Sequence, residues 1–321
     1  MLLRTAALLA LAFAMPFAHA QDAWPSKPVR MVVAYPPGGS TDYAARVLAQ
    51  RLSAALGQQV TVENRAGAAG MVGATSVVRA EPDGYTIINA ASPEVAISRI
   101  TTKDLPFDSL KDLAPITLVG TVPFMLVTNP GVPANDLKEL VAHAKANPGK
   151  LNFSSFGNNT SNHLVGELFK VTAGIDIVHV PYKGSGPSIT DLIGGVVQLT
   201  FDTPTAVLGH VKAGKLKAIA VSMPTRSSNA PQVPTMSEAG MPGFVGGTWF
   251  GLLAPGKTPR PIIERLAAET TKILKSPEVA KQFAERDVEA GGGTPAEFTA
   301  FIRAEVDKWQ SLAAKAGIKP Q

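Results

Sequence analysis

Short apolar runs alternate along this chain with stretches whose apolar residues recur at helical spacing. Val29–Ala34, Val60–Glu63, Thr86–Ala90, Ile116–Val119 and Phe124–Thr128 read as strands. So do Asn152–Ser155, Ile177–Val180, Val197–Asp202, Ala218–Val221 and Phe250–Ala254. Ala44, Val47, Leu48, Leu52 and Ala55 mark a helix within Tyr43–Leu56, and further helices are expected over Asp136–Ala146, Leu164–Val171 and Arg260–Lys275. Strands alternating with helices predict an α/β protein with mainly parallel sheets flanked by helices. The C-terminal region reads as purely helical. One stripe there holds Ile262, Ile263, Leu266, Ala267, Thr270, Ile273 and Leu274, and a second holds Phe298, Phe301, Ile302, Trp309 and Leu312.

The pattern contains an internal echo. Phe124–Pro130 is a strand that runs through a proline turn into the helix Asp136–Ala146. Trp249–Pro255 does the same into Arg260–Lys275. Two such units, one mid-chain and one late, suit a chain that crosses from one lobe to another and returns. The sequence leaves open which lobe holds the strand Trp249–Ala254.

Several strands end in turns rich in glycine and hydroxyl residues. The first is Tyr35-Pro36-Pro37-Gly38-Gly39-Ser40-Thr41-Asp42, placed between Val29–Ala34 and the helix that follows. Free N–H groups and the positive end of a helix dipole point the same way in such a turn, so it is a ready anion site. Asp42 reads as a helix cap, turned toward its own helix, or as the partner of a ligand's positive group. Ser154–His163 forms a second such turn, and Pro181–Gly186 a third. Asp202, at the end of Val197–Phe201, either orients a ligand ammonium or hydroxyl or accepts backbone N–H groups. His163, opening a helix, reads as a packing or capping residue.

Composition narrows the chemistry. The 321 residues include no cysteine, which excludes disulfides, thiolate nucleophiles and cysteine-ligated metals. Residues 1–20 carry Arg4, the apolar core Ala6–Ala14 and Ala18-His19-Ala20, the three parts of a secretory signal cleaved after Ala20. No later stretch approaches the roughly 20 apolar residues of a membrane span. A soluble periplasmic protein without a membrane anchor is expected, and about 300 mature residues suit two domains. The net charge of +5 is interspersed, without the basic runs of a nucleic-acid surface. There is no Walker phosphate loop, no G-x-G-x-x-G, no metal spacing of histidines and no G-x-S-x-G elbow. Donors without a nucleophile–base pair are the profile of a binder, not an enzyme, and no cofactor is expected. The alternatives are an exported hydrolase using Ser40 or Ser161 near His163, and a ligand-sensing partner of a signalling receptor.

The motifs together resemble the substrate-binding proteins of tripartite tricarboxylate transporters, also called Bug receptors. The matching pieces run in order through Tyr35–Asp42 with Ala45-Arg46, Glu63-Asn64-Arg65 with Gly67 and Gly70, and Lys138-Glu139-Leu140. They continue through Asn147–Leu151, His179–Gly184, Asp191–Gly195, Phe201-Asp202, Pro234–Gly240, Trp249–Leu252 and Ala254-Pro255. The resemblance covers the whole mature chain. It implies a two-lobed, clamshell (type II) periplasmic-binding-protein fold with crossings near Val119–Phe124 and Val221–Ser222. Residues 21–121 and 223–321 would form lobe 1, and 122–222 lobe 2. It also implies a small organic carboxylate held in the interlobe cleft, delivery to membrane transporter subunits, and a monomer.

Carried over, one jaw of the carboxylate pincer is Gly38, Gly39, Ser40, Thr41 and Asp42. The other is Gly157, Asn158, Asn159, Thr160 and Asn162. His163, Tyr182, Asp202 and Ser92, just past Thr86–Ala90, complete the candidate contacts. Asn159 stands where the family usually has glycine. Asparagine tolerates left-handed backbone, so the turn is expected to keep its shape while an amide projects into or beside the cleft.

Overall fold

The central strands are buried on alternating sides by different helices, and this builds the layers. In the first sheet, Val32 and Ile88 pack with Ala74 and Val77 of the helix Met71–Val78. Met31, Val33 and Ile87 pack on the opposite face with Leu48 and Leu52 of the helix Ser40–Leu56. The computed structural model describes residues 24–320, so the signal segment 1–20 lies outside the described residues.

The strands are β1 (Val29–Val33), β2 (Val60–Asn64), β3 (Thr86–Ala91), β4 (Leu113–Pro123), β5 (Met125–Thr128) and β6 (Asn152–Ser155). There follow β7 (Val178–Pro181), β8 (Leu199–Asp202), β9 (Lys217–Val221), β10 (Gly247–Pro255) and β11 (Glu289–Gly292). One sheet has the order β11-β4-β10-β3-β1-β2 and the other β7-β6-β8-β5-β9. In the first, β2, β1 and β3 are parallel, whereas β10, β4 and β11 join by antiparallel pairing. The second repeats the plan with a parallel trio β7, β6 and β8, followed by antiparallel β5 and β9. The sheets are therefore mixed, and parallel pairing is confined to one trio in each.

The strand–proline echo has a structural counterpart. β10 and β5 occupy the same fourth place in the two sheets, each antiparallel to the last strand of the trio. The strand Trp249–Ala254 belongs to the first lobe.

Two sequence expectations are corrected. The C-terminal region is not purely helical, because β11 separates the helices Pro277–Ala284 and Pro295–Lys315. Its sequence, Glu-Ala-Gly-Gly, carries no apolar run. It is an edge strand held by backbone pairing to β4, and a Cβ on Gly291 would lie 2.6 Å from the Leu118 carbonyl oxygen.

The return crossing also moves. The outward crossing falls at Phe124, whose carbonyl accepts from Ser222 N–H at 2.8 Å. Residues 223–246 then stay with the second lobe. Val221 bridges Thr235, and Phe244 packs against Phe169 and Phe201, with its ring 6.0 Å from that of Phe201. Burying a phenylalanine is worth about 1.5–3 kcal/mol, which favours this docking over a free linker. The chain re-enters the first sheet at Gly247, just after Gly246 N–H donates to the Ser222 carbonyl at 2.7 Å. The crossing near Val221–Ser222 came from the family resemblance, and the apolar residues that hold the next segment on lobe 2, Val233, Met236 and Phe244 among them, are too sparse to read as an element.

Candidate functional site

The two glycine-rich turns leave the carboxyl ends of β1 and β6, corresponding middle strands of the two parallel trios. Open α/β sheets carry their ligand sites on this edge. The two edges come together: a methyl group on Gly184, in the turn after β7, would lie 4.0 Å from Cγ of Pro36.

The first turn enters the helix Ser40–Leu56 with Gly39 as its N-cap and no side-chain cap. The first amide with an intrahelical acceptor is Tyr43 N–H, bonded to the Gly39 carbonyl at 2.9 Å. The amides of Ser40, Thr41 and Asp42 precede it and have no acceptor inside the helix. Behind them, Asp42 is a scaffold. Its Oδ2 accepts from Gly38 N–H at 3.0 Å and Arg46 Nε at 2.9 Å, and its Oδ1 accepts from Asn64 Nδ2 at 2.8 Å. Burial pushes this carboxyl upward, but the bonds from Arg46, Gly38 and Asn64 together hold it below the ordinary value of 3.8. Asp42 is turned toward its own helix, as one reading had it, but it is not a cap: it holds Gly38 N–H ahead of the helix and Arg46 within it.

The Ser40 hydroxyl is buried without a hydrogen-bond partner. A buried hydroxyl without a partner is costly, and it leaves Ser40 Oγ with its full donor and acceptor capacity unspent. Asn89 of β3 sits nearby, with Nδ2 donating to the Thr41 carbonyl at 2.9 Å and Oδ1 buried and unpartnered. Sequence reasoning missed Asn89. Its one signal was a carboxamide inside the otherwise apolar run Ile87–Ala91.

The second turn enters the helix Ser161–Ala173 behind the N-cap Thr160, again without a side-chain cap bond. Leu164 N–H makes the first intrahelical bond, to the Thr160 carbonyl, leaving the amides of Ser161, Asn162 and His163 without one. Asn162 is buried and committed: Oδ1 takes Phe156 N–H at 3.3 Å and the Thr160 hydroxyl at 2.8 Å, while Nδ2 donates to the Phe201 carbonyl at 3.1 Å. Asn159 has φ +62°, so it adopts the left-handed backbone expected of it. Its N–H donates to Nδ1 of His163 at 3.2 Å. That bond makes Nδ1 an acceptor and places the imidazole proton on Nε2, which lies 4.0 Å from Glu167 Oε1.

His163 stacks on His179 with ring centroids 3.9 Å apart, and Nε2 of His179 lies 2.6 Å from the Ser155 hydroxyl. Burial lowers His163 below its ordinary 6.5 and, with the neighbouring His163 and Lys170, lowers His179 to about 3. Both rings are neutral at neutral pH. The Ser155 hydroxyl also meets the Gly157 carbonyl and N–H within its own turn, and among the described residues no carboxylate hydrogen-bonds His179. The pair braces the turn and lacks the orienting acid of a nucleophile–base set.

The remaining candidates stand around these turns. Ser92 is buried and within 3.1 Å of the Thr248 hydroxyl at the start of β10. Tyr182 turns its hydroxyl to Asp191 at 2.8 Å, within its own lobe. Asp202 is buried at the end of β8, accepting from the Ser185 hydroxyl at 2.6 Å and Thr203 N–H at 2.7 Å. Burial raises its carboxyl to about 7 against those bonds. Glu94, unremarked in the sequence, is similarly raised to about 7 by burial, and it accepts from Tyr35 at 2.8 Å and Ala91 N–H at 2.7 Å. It ties the start of the first turn to the end of β3.

Two lobes of one topology, meeting along the edges that carry their helix N-termini, define a solute-binding protein of the two-lobed periplasmic class. The chain belongs to the tripartite tricarboxylate transporter family receptors, whose family model matches residues 44–318. It is 40% identical over 299 residues to Protein BugT of Bordetella pertussis, covering 93% of this chain and 92% of that one. Rpa4515 of R. palustris, solved with adipate, superposes with a TM-score of 0.89 at 34% identity, over 93% of this chain and all of that one. MatC from Rhodopseudomonas palustris, solved with bound malate, gives 0.83 at 29% identity, over 90% and 99% of the two chains. Members of the family are periplasmic binding proteins. No helix among the described residues is long and apolar enough to cross a membrane.

Proposed function

We propose that this protein captures a small organic carboxylate between its lobes in the periplasm and delivers it to a tripartite tricarboxylate-type membrane transporter. The observation that carries the reading is the pair of equivalent helix N-termini, each presenting amides without an intrahelical acceptor, the first beside the orphan Ser40 hydroxyl. Each terminus adds about 0.3–1 kcal/mol toward an anion, and more where the site excludes water. Adipate and malate, bound by two relatives, are both dicarboxylates. The reading is binding without conversion, by a monomer exported through cleavage after Ala20.

In this reading the ligand meets the amides and hydroxyls of Ser40 and Thr41 on one side and the Ser161 amide and hydroxyl with the Asn159 side chain on the other, since the Thr160 hydroxyl and the Asn159 N–H are taken by Gly157, Asn162 and His163. Asp42, Asn162 and His163 hold the turns from behind, because their polar atoms already have protein partners. Thermal unfolding of protein stripped of copurified ligand, measured against mono-, di- and tricarboxylates, is the test. A concentration-dependent rise with at least one carboxylate is expected. Failure of every carboxylate to stabilise the stripped protein would overturn the reading. N-terminal sequencing of the exported protein should begin at Gln21.

A further inference from the structure

Away from the turns, the lobes are joined by a small set of polar contacts that the ligand reading does not use. On the second lobe, the helix Pro204–Lys212 begins two residues after Asp202. Its Thr205 hydroxyl donates to the Arg286 carbonyl of the first lobe at 2.7 Å. Beside it, Asn229 Nδ2 donates to the Ala284 carbonyl at 2.8 Å and to Asp287 Oδ2 at 2.9 Å, and the Ser227 hydroxyl bonds Asp287 Oδ1. Ser227 and Asn229 belong to the segment whose Ala230 and Val233 are buried in the second lobe's core. Ala284, Arg286 and Asp287 follow Phe283, which is buried in the first.

Three features set this contact apart from an ordinary packed interface. It borders an open cavity of about 190 Å³ lined by Pro204, Leu208 and Lys212 on one side and Glu285 on the other, so here the lobes meet through discrete hydrogen bonds. Asp287 holds φ +53°, a conformation that a non-glycine residue adopts at a cost. Finally, the Arg286 guanidinium lies over the Tyr43 ring, 4.8 Å from its centroid, so the first-lobe side touches the residue next to Asp42. The contact therefore joins a residue just beyond Asp202 to the first turn of the helix that opens at Ser40.

We propose that Thr205, Asn229 and Asp287 form an interlobe latch: positioning residues that set the affinity for the ligand by stabilising the closed arrangement without touching the ligand. Apparent affinity scales with the fraction of molecules in the binding-competent form, so each bond lost from the closed form weakens every ligand by the same factor. This rests on the carboxylate-capture reading only for the choice of probes.

The test compares wild type with Thr205→Val and Asp287→Gly. The first keeps the side-chain shape, and the second suits the left-handed backbone at that position, so both are expected to fold. Calorimetric titration with adipate and with malate should show Kd raised about 5-fold by Thr205→Val and on the order of 10-fold by Asp287→Gly, equally for both ligands. Stopped-flow should place the change mainly in dissociation. Unchanged affinities would overturn the latch, and so would a change confined to one ligand, which would make these residues ligand contacts. Small-angle scattering of the ligand-free proteins separates the two readings, since it needs no carboxylate. If wild type binds neither acid, a larger radius of gyration in both variants still supports the latch, and identical scattering sinks it.

Discussion

The turns after β1 and β6 occupy equivalent places and share one plan, yet they are braced by opposite chemistry. In each, the third residue of the helix reaches back to the N–H four residues earlier: Asp42 to Gly38, and His163 to Asn159. Each receiving residue has positive φ, +92° at Gly38 and +62° at Asn159. The first brace is a carboxylate held ionised by Arg46 and Asn64. The second is a neutral imidazole, stacked on another neutral imidazole. A carboxylate gives the stronger acceptor but brings negative charge close to an anion site, which Arg46 offsets. The imidazole adds no charge, at the cost of working only while unprotonated. One geometry is thus reached with two electrostatic solutions, and they should fail under different conditions.

The most disruptive change is Asp42→Ala, which leaves Gly38 N–H, Arg46 and the Asn64 amide without their shared acceptor. A loss of about 3 kcal/mol in urea unfolding is expected, with carboxylate binding lost alongside it. A loss below about 1 kcal/mol would show that the first turn is held by something else. His163→Ala should cost less, about 1.5 kcal/mol, because a neutral hydrogen bond and a ring stack are removed. Equal costs for the two substitutions would erase the distinction drawn between the turns.

Acidification separates them further. Asp42 lies below its ordinary 3.8, so its contribution is present above that pH and lost only as pH falls through its lowered value. His163 lies below 6.5, so its contribution is complete above 6.5 and declines as pH falls toward the lowered value. His179, lowered to about 3, extends that window from 6.5 down to about 3. Glu94 and Asp202 carry the opposite sign: raised to about 7, they favour the folded state at low pH and weaken it as pH rises toward 7. The urea midpoint of His163→Gln should therefore fall less between pH 6.5 and 4 than that of wild type. An identical slope would remove the imidazole from the account.

Asn159→Gly is expected to have the smallest effect on stability, under about 1 kcal/mol in either direction, since glycine relieves strain but frees the unfolded chain. Its use lies in selectivity. Loss of the side-chain amide should alter the ranking of adipate against malate in titrations, and an unchanged ranking would place that amide outside the contacts.

Much of the scaffold was legible in the chain. Strand runs such as Val29–Ala34 and Phe124–Thr128 are buried on both faces, so their apolar character is nearly continuous and easily seen. β11 was hidden because an edge strand pairs through its backbone and needs no apolar side chains. The positions of both turns, and the left-handed backbone at Asn159, followed from residue type. The division of labour within the turns did not. Whether Asp42, Asn162 and His163 face a ligand or the protein depends on where Asn64, Phe201 and Asn159 come to lie, and all but the last are distant in sequence.

By itself, then, the sequence determined the alternation of strands and helices, the family, and the two sites where helix N-termini offer amides. These follow from local periodicity, turn chemistry and short motifs, each confined to neighbouring residues. Only the tertiary structure decided which side chains are spent as braces, that residues 223–246 stay with the second lobe, and that Thr205 and Asn229 meet Arg286 and Asp287. Those outcomes depend on contacts between residues distant in the chain, 81 positions apart for Thr205 and Arg286 and 98 for Phe124 and Ser222, and no local pattern encodes such pairings. Burial then sets the charge states, because the same carboxyl is held low at Asp42 by its donors and raised at Asp202 by desolvation.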